Sequence, residues 1–289
     1  MIWLVTAAIV SLAGGAAAQE RDSPRSPAAL LARLGARVEQ YFARAQNLVC
    51  DEEVHIHPMG YNSSGDGRAR VLHYELRVAW EAASGDGRVP EATVLRRIQT
   101  INGRTPGPDE DPGCMDPQSI SPAPLSVLLP GRRDEYDFLV EGTGREDGRR
   151  AVVIAFKLRE PGAGTVTWND DCVSVELPGR TSGRLWADAE TDEVLRLDER
   201  VSGLFEFSPP EPRTFLGGSR NMALEGANTS TRFRRMRFED PDEEMRLPAS
   251  IETSSTWRGA GARRVVTMQQ FSGCRRFITD ARIVEPRSR

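Results

Sequence analysis

The stretch VLHYELRVAW, residues 71–80, is where the fold can be read. Leu72, Tyr74, Leu76, Val78 and Trp80 alternate with His73, Glu75, Arg77 and Ala79. Successive side chains of an extended chain point to opposite sides, so a period of two makes one apolar face and one wet face. The stretch stands between two copies of SGDGR, residues 64–68 and 84–88. Asp-Gly pairs favour tight hairpin turns because both residues tolerate positive φ. A calcium loop would need more oxygen ligands at defined positions, and a phosphate loop would open a helix. A strand with its two turns accounts for the repeat.

The same period returns in AVVIAFKL through Val152, Ile154, Phe156 and Leu158. Shorter versions occur at EYDFLVEG, TVTWND, GRLWAD, EVLRLDERV, TRFRRMRF, ASIETSSTW and RRVVTMQQF, with turn signals at Asn102-Gly103, Asp147-Gly148 and Gly259-Ala260-Gly261. Upstream, SPAALLARLGARVEQYFARAQN changes to helical spacing. Leu31, Leu34, Val38, Tyr41, Phe42 and Ala45 form one stripe, opposite Arg33, Arg37, Glu39 and Arg44. Ser26 suits the N-cap and Pro27 the first turn. The stripe is expected to pack on the sheet, because a membrane surface would want more cationic charge. A second helix, kept short by its prolines, is expected in DPQSISPAPLSVLLPG, while residues 105–117 and 208–228 read as polar loops. Trp80, Trp168, Trp186 and Trp257 are expected in the core. The run from Glu239 to Glu244 reads as a proline-centred hairpin turn kept soluble by charge.

These elements predict a mainly β (α+β) fold: a curved antiparallel half-barrel with an N-terminal amphipathic helix and a short helical insertion. The first residues, MIWLVTAAIVSLAGGAAAQE, have an apolar run and an Ala16-x-Ala18 pattern, the layout of a secretory signal peptide. Expected boundaries are a signal peptide at 1–18, a flexible leader at 19–26 and one β domain at 27–289. The apolar run is short of the ~20 residues of a membrane span, so no integral span is expected after cleavage. Cys50, Cys114, Cys172 and Cys274 are even in number, widely spaced and without a C-x-x-C pair. In an oxidising compartment they read as two disulfides, with three connectivities open. The formal net charge is −4 and the cations are scattered without a basic stripe, which argues against nucleic acid as a partner. Lys157 is the sole lysine, a bias of composition that carries no function by itself.

Signals for chemistry are sparse. His55 and His57 share a strand face and could chelate a metal, with Asp51, Glu52 or Glu53 assisting. The reading taken is a solvent-facing strand end ahead of Pro58, with no metal and no cofactor. No G-x-S-x-G elbow is present, and nothing singles out a carboxylate pair.

The stretches AQNLVCDEEV, GRLWADAETDEVLRLD, RFEDPDEEMRLPASIETSSTW and QQFSGCRRFITDARI give the element order a familiar cast. The chain resembles the outer-membrane lipoprotein-carrier (LolA-like) half-barrel, and more closely a group of exported bacterial proteins of unknown function with that architecture. The resemblance covers residues 28–284. It implies a concave apolar face able to hold an acyl chain or lipid, and it supplies no catalytic residues. The expected function is therefore non-enzymatic: a periplasmic or extracellular protein holding an apolar ligand against Leu72, Tyr74, Leu76, Val78 and Trp80. Its partners would be a lipid, a lipoprotein or an envelope protein. The alternative is a structural or assembly module of the envelope with a filled core; a metal-dependent hydrolase comes third.

Overall fold

The computed structural model describes residues 26–44, 47–60, 65, 69–80, 92–107, 123–160, 162–169, 172–177, 181–208, 221–239, 242–259 and 264–276. The expected signal peptide lies outside the described residues, as do both Asp-Gly pairs of the SGDGR repeats. The elements are α1 (Pro27–Arg44), β1 (Leu48–Met59), β2 (Arg70–Trp80), β3 (Ala92–Ile101), a 3-10 helix (Ala123–Leu128) and α2 (Pro130–Arg133). They continue with β4 (Tyr136–Glu146), β5 (Arg149–Leu158), β6 (Thr165–Asn169), β7 (Cys172–Glu176), β8 (Thr181–Asp188) and β9 (Val194–Phe207). The last are β10 (Met222–Glu239), β11 (Asp242–Arg258) and β12 (Arg264–Arg276).

Ten of the strands make one antiparallel sheet in the order β3-β2-β1-β12-β11-β10-β9-β8-β5-β4, and β6 pairs only with β7. The sheet is open, with β3 and β4 at its edges, and it is curved. Two pairings join strands that are not consecutive in the chain: β5 meets β8, with β6 and β7 between them in sequence, and β12 meets β1, which joins the last strand to the first. The Cys50–Cys274 disulfide crosses that pair. Cys114 and the side chain of Cys172 lie outside the described residues. Between β3 and β4 the chain passes from one edge to the other, carrying the 3-10 helix and α2 across the core.

Local chemistry explains the ends of the elements. Ser26 caps α1, its Oγ accepting from the Ala29 N–H at 3.2 Å. Asn102-Gly103 and Asp147-Gly148 both have positive φ at both residues, as a type I′ turn demands. The turn after β8 is built by Asp188, whose Oδ1 accepts from the N–H groups of Glu190 and Thr191. Burial works to raise the Asp188 carboxyl, but hydrogen bonds from Arg149 and from these two amides outweigh it and hold the carboxyl down at about 2. The same turn docks α1: Arg33 pairs with Asp192 at 2.9 Å and Arg37 donates to the Thr191 carbonyl. At the other end of α1, Arg44 pairs with Glu243 at 2.8 Å. The arginines that face away from the apolar stripe therefore clamp the helix to the sheet.

One strand escaped the period-two reading, and two expectations need correcting. β3 was not legible, because in ATVLRRIQTI the core face takes Arg96 between Val94 and Ile98. Arg96 pairs with Glu52, which is fully buried, at 2.7 Å. The polar loop expected through residue 228 ends earlier: Met222, Ala223 and Leu224 are buried as the first residues of β10. A register shift between Leu224 and Gly226 breaks the alternation there and hides the strand from a period-two reading. Trp186 is not in the core. Its neighbours Leu185 and Ala187 are fully buried, so alternation turns Trp186 to the other face, where Arg196 lies 4.6 Å from the ring centre. Trp257 is half-buried against Phe207, and the side chains of Trp80 and Trp168 lie outside the described residues.

Candidate functional site

The sheet has two faces of different character, and strand alternation assigns each side chain to one of them. On the helix-covered face, Leu72, Tyr74, Leu76 and Val78 are buried at 6% exposure or less; the side chain of Trp80 lies outside the described residues. Leu76 and Val78 join a cluster with Leu34, Val38 and Phe42 of α1 and with Leu125, Val127 and Leu128 of the 3-10 helix. Leu72 and Tyr74 belong to a second cluster with Val54, Ile56 and Ile101. Between the two clusters lies a polar group, in which Glu52 accepts from Gln269 at 2.8 Å and pairs with Arg96. Leu72, Tyr74, Leu76 and Val78 of the predicted stripe are thus buried, and what covers Leu76 and Val78 is the chain itself. Each fully buried side chain of this kind contributes ~1.5–3 kcal/mol to the fold. A space of about 80 Å³ lies beside α1 on this face, lined in part by Val38, Leu125, Phe233 and Met245.

The contact between α1 and the 3-10 helix is close because of one glycine. A Cβ on Gly35 would stand 2.7 Å from the Leu128 carbonyl oxygen. Any side chain there would push the helix off the sheet.

The large concavity is on the other face. A trough of about 810 Å³ runs over β4, β5, β8, β9, β10 and β11 to the first residue of β12. The curvature that makes it is visible in the ion pairs: Arg232 of β10 and Arg196 of β9 both reach Glu146 of β4, although three and two strands lie between. Two cross-strand rows set its floor. One runs Asp137–Lys157–Ser182–Arg200–Asn228–Ser254, and the next Leu139–Ala155–Arg184–Asp198–Ser230–Glu252. Many charges are matched internally: Arg184 with Glu141, Arg196 with Asp198, and Asp137 with Arg159 from outside the lining. Ser230 donates to Asp198 and Arg264 to Ser254. Leu139 stands out as 66% exposed.

Glu199 alternates along β9 with the trough residues Asp198 and Arg200 and is registered with Gly183 and Thr229. It has no hydrogen-bond partner among the described residues, and burial pushes its carboxyl up to about 7.

The histidine pair is where the sequence placed it. His55 and His57 stack with ring centres 6.3 Å apart on the helix-free side of β1. Glu53 bonds His55 and stands 3.7 Å from His73, and the His55 hydrogen bond holds its carboxyl below the usual range despite some desolvation. No group of three or more such side chains placed to hold a metal ion is found among the described residues. The acidic run joins the paired strands β10 and β11, with Glu239 opposite Asp242 and residues 240–241 outside the described residues. Its carboxylates face arginines: Glu243 bonds Arg44 and Arg276, and Asp242 bonds Arg237.

Sequence reading missed the trough altogether. Its lining is spread over seven strands, and only their register brings the residues together. The single hint was compositional, Lys157 as the sole lysine.

Among solved structures the chain is similar to a DUF1329 family protein from Desulfovibrio piger, at 12% identity over 88% of this chain and 94% of that one, with a TM-score of 0.42. It is similar to a LolA superfamily protein from Nitrosomonas europaea, at 8% identity over 86% and 94%, with a TM-score of 0.37. A third is a protein domain named for outer-membrane lipoprotein sorting, from Vibrio parahaemolyticus, at 13% identity over 88% and 94%, with a TM-score of 0.38. No protein-family model and no curated protein matches the chain.

Proposed function

We propose that the chain is a non-enzymatic binding protein of the cell envelope, exported by a signal peptide at 1–18, whose working surface is the trough on the helix-free face. The observation that supports this reading is the contrast between the faces. The helix-covered face is filled by Leu34, Val38, Phe42, Leu76 and Val78, whereas the opposite face holds about 810 Å³ of open, mostly polar concavity. Pockets of that volume are of ligand size. The test is a photo-crosslinking residue at Leu139 in the trough, set against one at Leu95, which is 62% exposed on the opposite edge strand. Cells carrying each variant are irradiated and the purified chain is weighed. Adducts at 139 and none at 95 are expected; a bare chain at 139 would sink the reading.

A second reading keeps the apolar ligand on the helix-covered face. The space of about 80 Å³ beside α1 favours it, since α1 could lift from there. An acyl chain would then displace α1, whose clamps are Arg33–Asp192 and Arg44–Glu243. In that case R33Q/R44Q would raise the amount of co-purifying lipid seen by native mass spectrometry. An unchanged, lipid-free mass would exclude it.

A further inference from the structure

Two cations of the trough stand apart from the internal pairing just described. Lys157 and Arg200 have neither an ion-pair nor a hydrogen-bond partner among the described residues. Both line the trough, and both lie in the same cross-strand row with Ser182 between them. Asn228 follows Arg200 in that row. Adjacent strands are spaced by about 4.8 Å, so the two cations rise from backbones about 10 Å apart. Long flexible side chains at that separation can close on one anion above Ser182, whose hydroxyl and the Asn228 amide add donors. Arginine and lysine without a carboxylate partner, set beside hydroxyl and amide donors, fit the several oxygens of a phosphate group. Carboxylates also border the row. Asp137 is opposite Lys157 but is held by Arg159 at 2.7 Å, and Asp198 is occupied by Arg196 and Ser230. Glu252 lies one row away, across Ser230.

The next row supplies the other half of the argument. Leu139 and Ala155 face the trough directly beside Lys157, and Leu139 is 66% exposed. An inorganic anion would leave that leucine in water, whereas a molecule with a phosphate and an apolar part would cover both.

We propose that Lys157, Ser182, Arg200 and Asn228 hold the phosphate group of an amphiphile of net negative charge, without a cation of its own beside the phosphate, whose apolar part lies on Leu139 and Ala155. The assignment rests on the trough reading above and names its ligand class.

The experiment uses the exported chain with phosphatidylcholine vesicles, with and without phosphatidylglycerol, in flotation. Binding is expected only to vesicles containing phosphatidylglycerol. K157Q/R200Q should weaken it by at least about tenfold, from the loss of two surface cations. K157R should keep it, and L139Q should weaken it without touching a charge. R237Q, which removes an arginine paired with Asp242 outside the trough, should bind as the parent does. All the substituted side chains are exposed, and a thermal melt checks that each variant is folded. Equal binding by K157Q/R200Q and the parent overturns the assignment. So does full displacement by inorganic phosphate with no effect of L139Q, since the ligand would then be a free anion. An acidic peptide that displaces vesicles where phosphate does not also overturns it. If the Leu139 adduct persists while K157Q/R200Q binds normally, the trough survives and only the phosphate assignment falls.

Discussion

Removing the Cys50–Cys274 bond acts on the whole sheet at once, because it fastens the first strand to the last. The two residues are 224 apart in sequence, so the bond closes most of the chain into one loop. On the chain-entropy relation a loop of that length is worth about 5 kcal/mol, while native disulfides typically contribute about 2–4 kcal/mol. The lower figure applies, because a denatured chain that keeps residual structure has less loop entropy for the bond to remove. Working against that, Cys50 is 1% exposed, and an alanine in its place leaves a small void costing about 1 kcal/mol more. The expected loss for C50A/C274A is therefore about 3–5 kcal/mol. Urea unfolding of the double variant beside the parent measures it. With a slope of about 3 kcal/mol per molar for a chain of this size, the midpoint should fall by about 1–2 M. The double variant is preferred to a reductant, which would also act on any bond made by Cys114 or Cys172. Amide exchange adds a local readout: protection in β1 should fall before protection in β8 and β9. An unchanged midpoint with an unchanged slope would refute the reasoning, because the first and last strands would then be held together by pairing alone.

Glu199 makes stability depend on pH in the direction opposite to a salt-bridged acid. Its folded value of about 7 lies above the ordinary 4.5, so its contribution is complete below about pH 4.5 and is lost as pH rises through 7. E199Q should raise stability by about 2 kcal/mol at pH 8 and change little at pH 5, as urea midpoints at the two pH values would show. Replacing Glu52 alone with Leu takes the carboxylate from Arg96 and Gln269, and should cost about 3 kcal/mol, whereas E52L/R96M should recover much of it. A double-mutant cycle measures the coupling. In an isolated helix G35A would stabilise by about 1 kcal/mol, but here the new methyl meets the Leu128 carbonyl. A net loss of about 1–2 kcal/mol in thermal melts is expected, and a gain would show that α1 does not sit on the 3-10 helix.

Features that depend on a few neighbouring residues were legible in the chain. The period of two in residues 71–80 and 151–158, the Ser26 cap and the turns at Asn102-Gly103 and Asp147-Gly148 came out as read. Their causes are local: side-chain alternation, a hydroxyl within reach of an orphan amide, tolerance of positive φ. Where a distant partner intervened, the reading failed. Arg96 on a core face is intelligible only with Glu52, 44 positions away, beside it. Trp186 looked like core until the burial of both its neighbours turned it outward.

The amino-acid sequence by itself determined that this would be a β protein with one striped helix laid on it, because those properties are set by forces acting within a turn or a strand. Tertiary structure decided which face is full and which is open. That outcome depends on cross-strand register and curvature, through which Lys157, Ser182 and Arg200 become neighbours although no local force relates them.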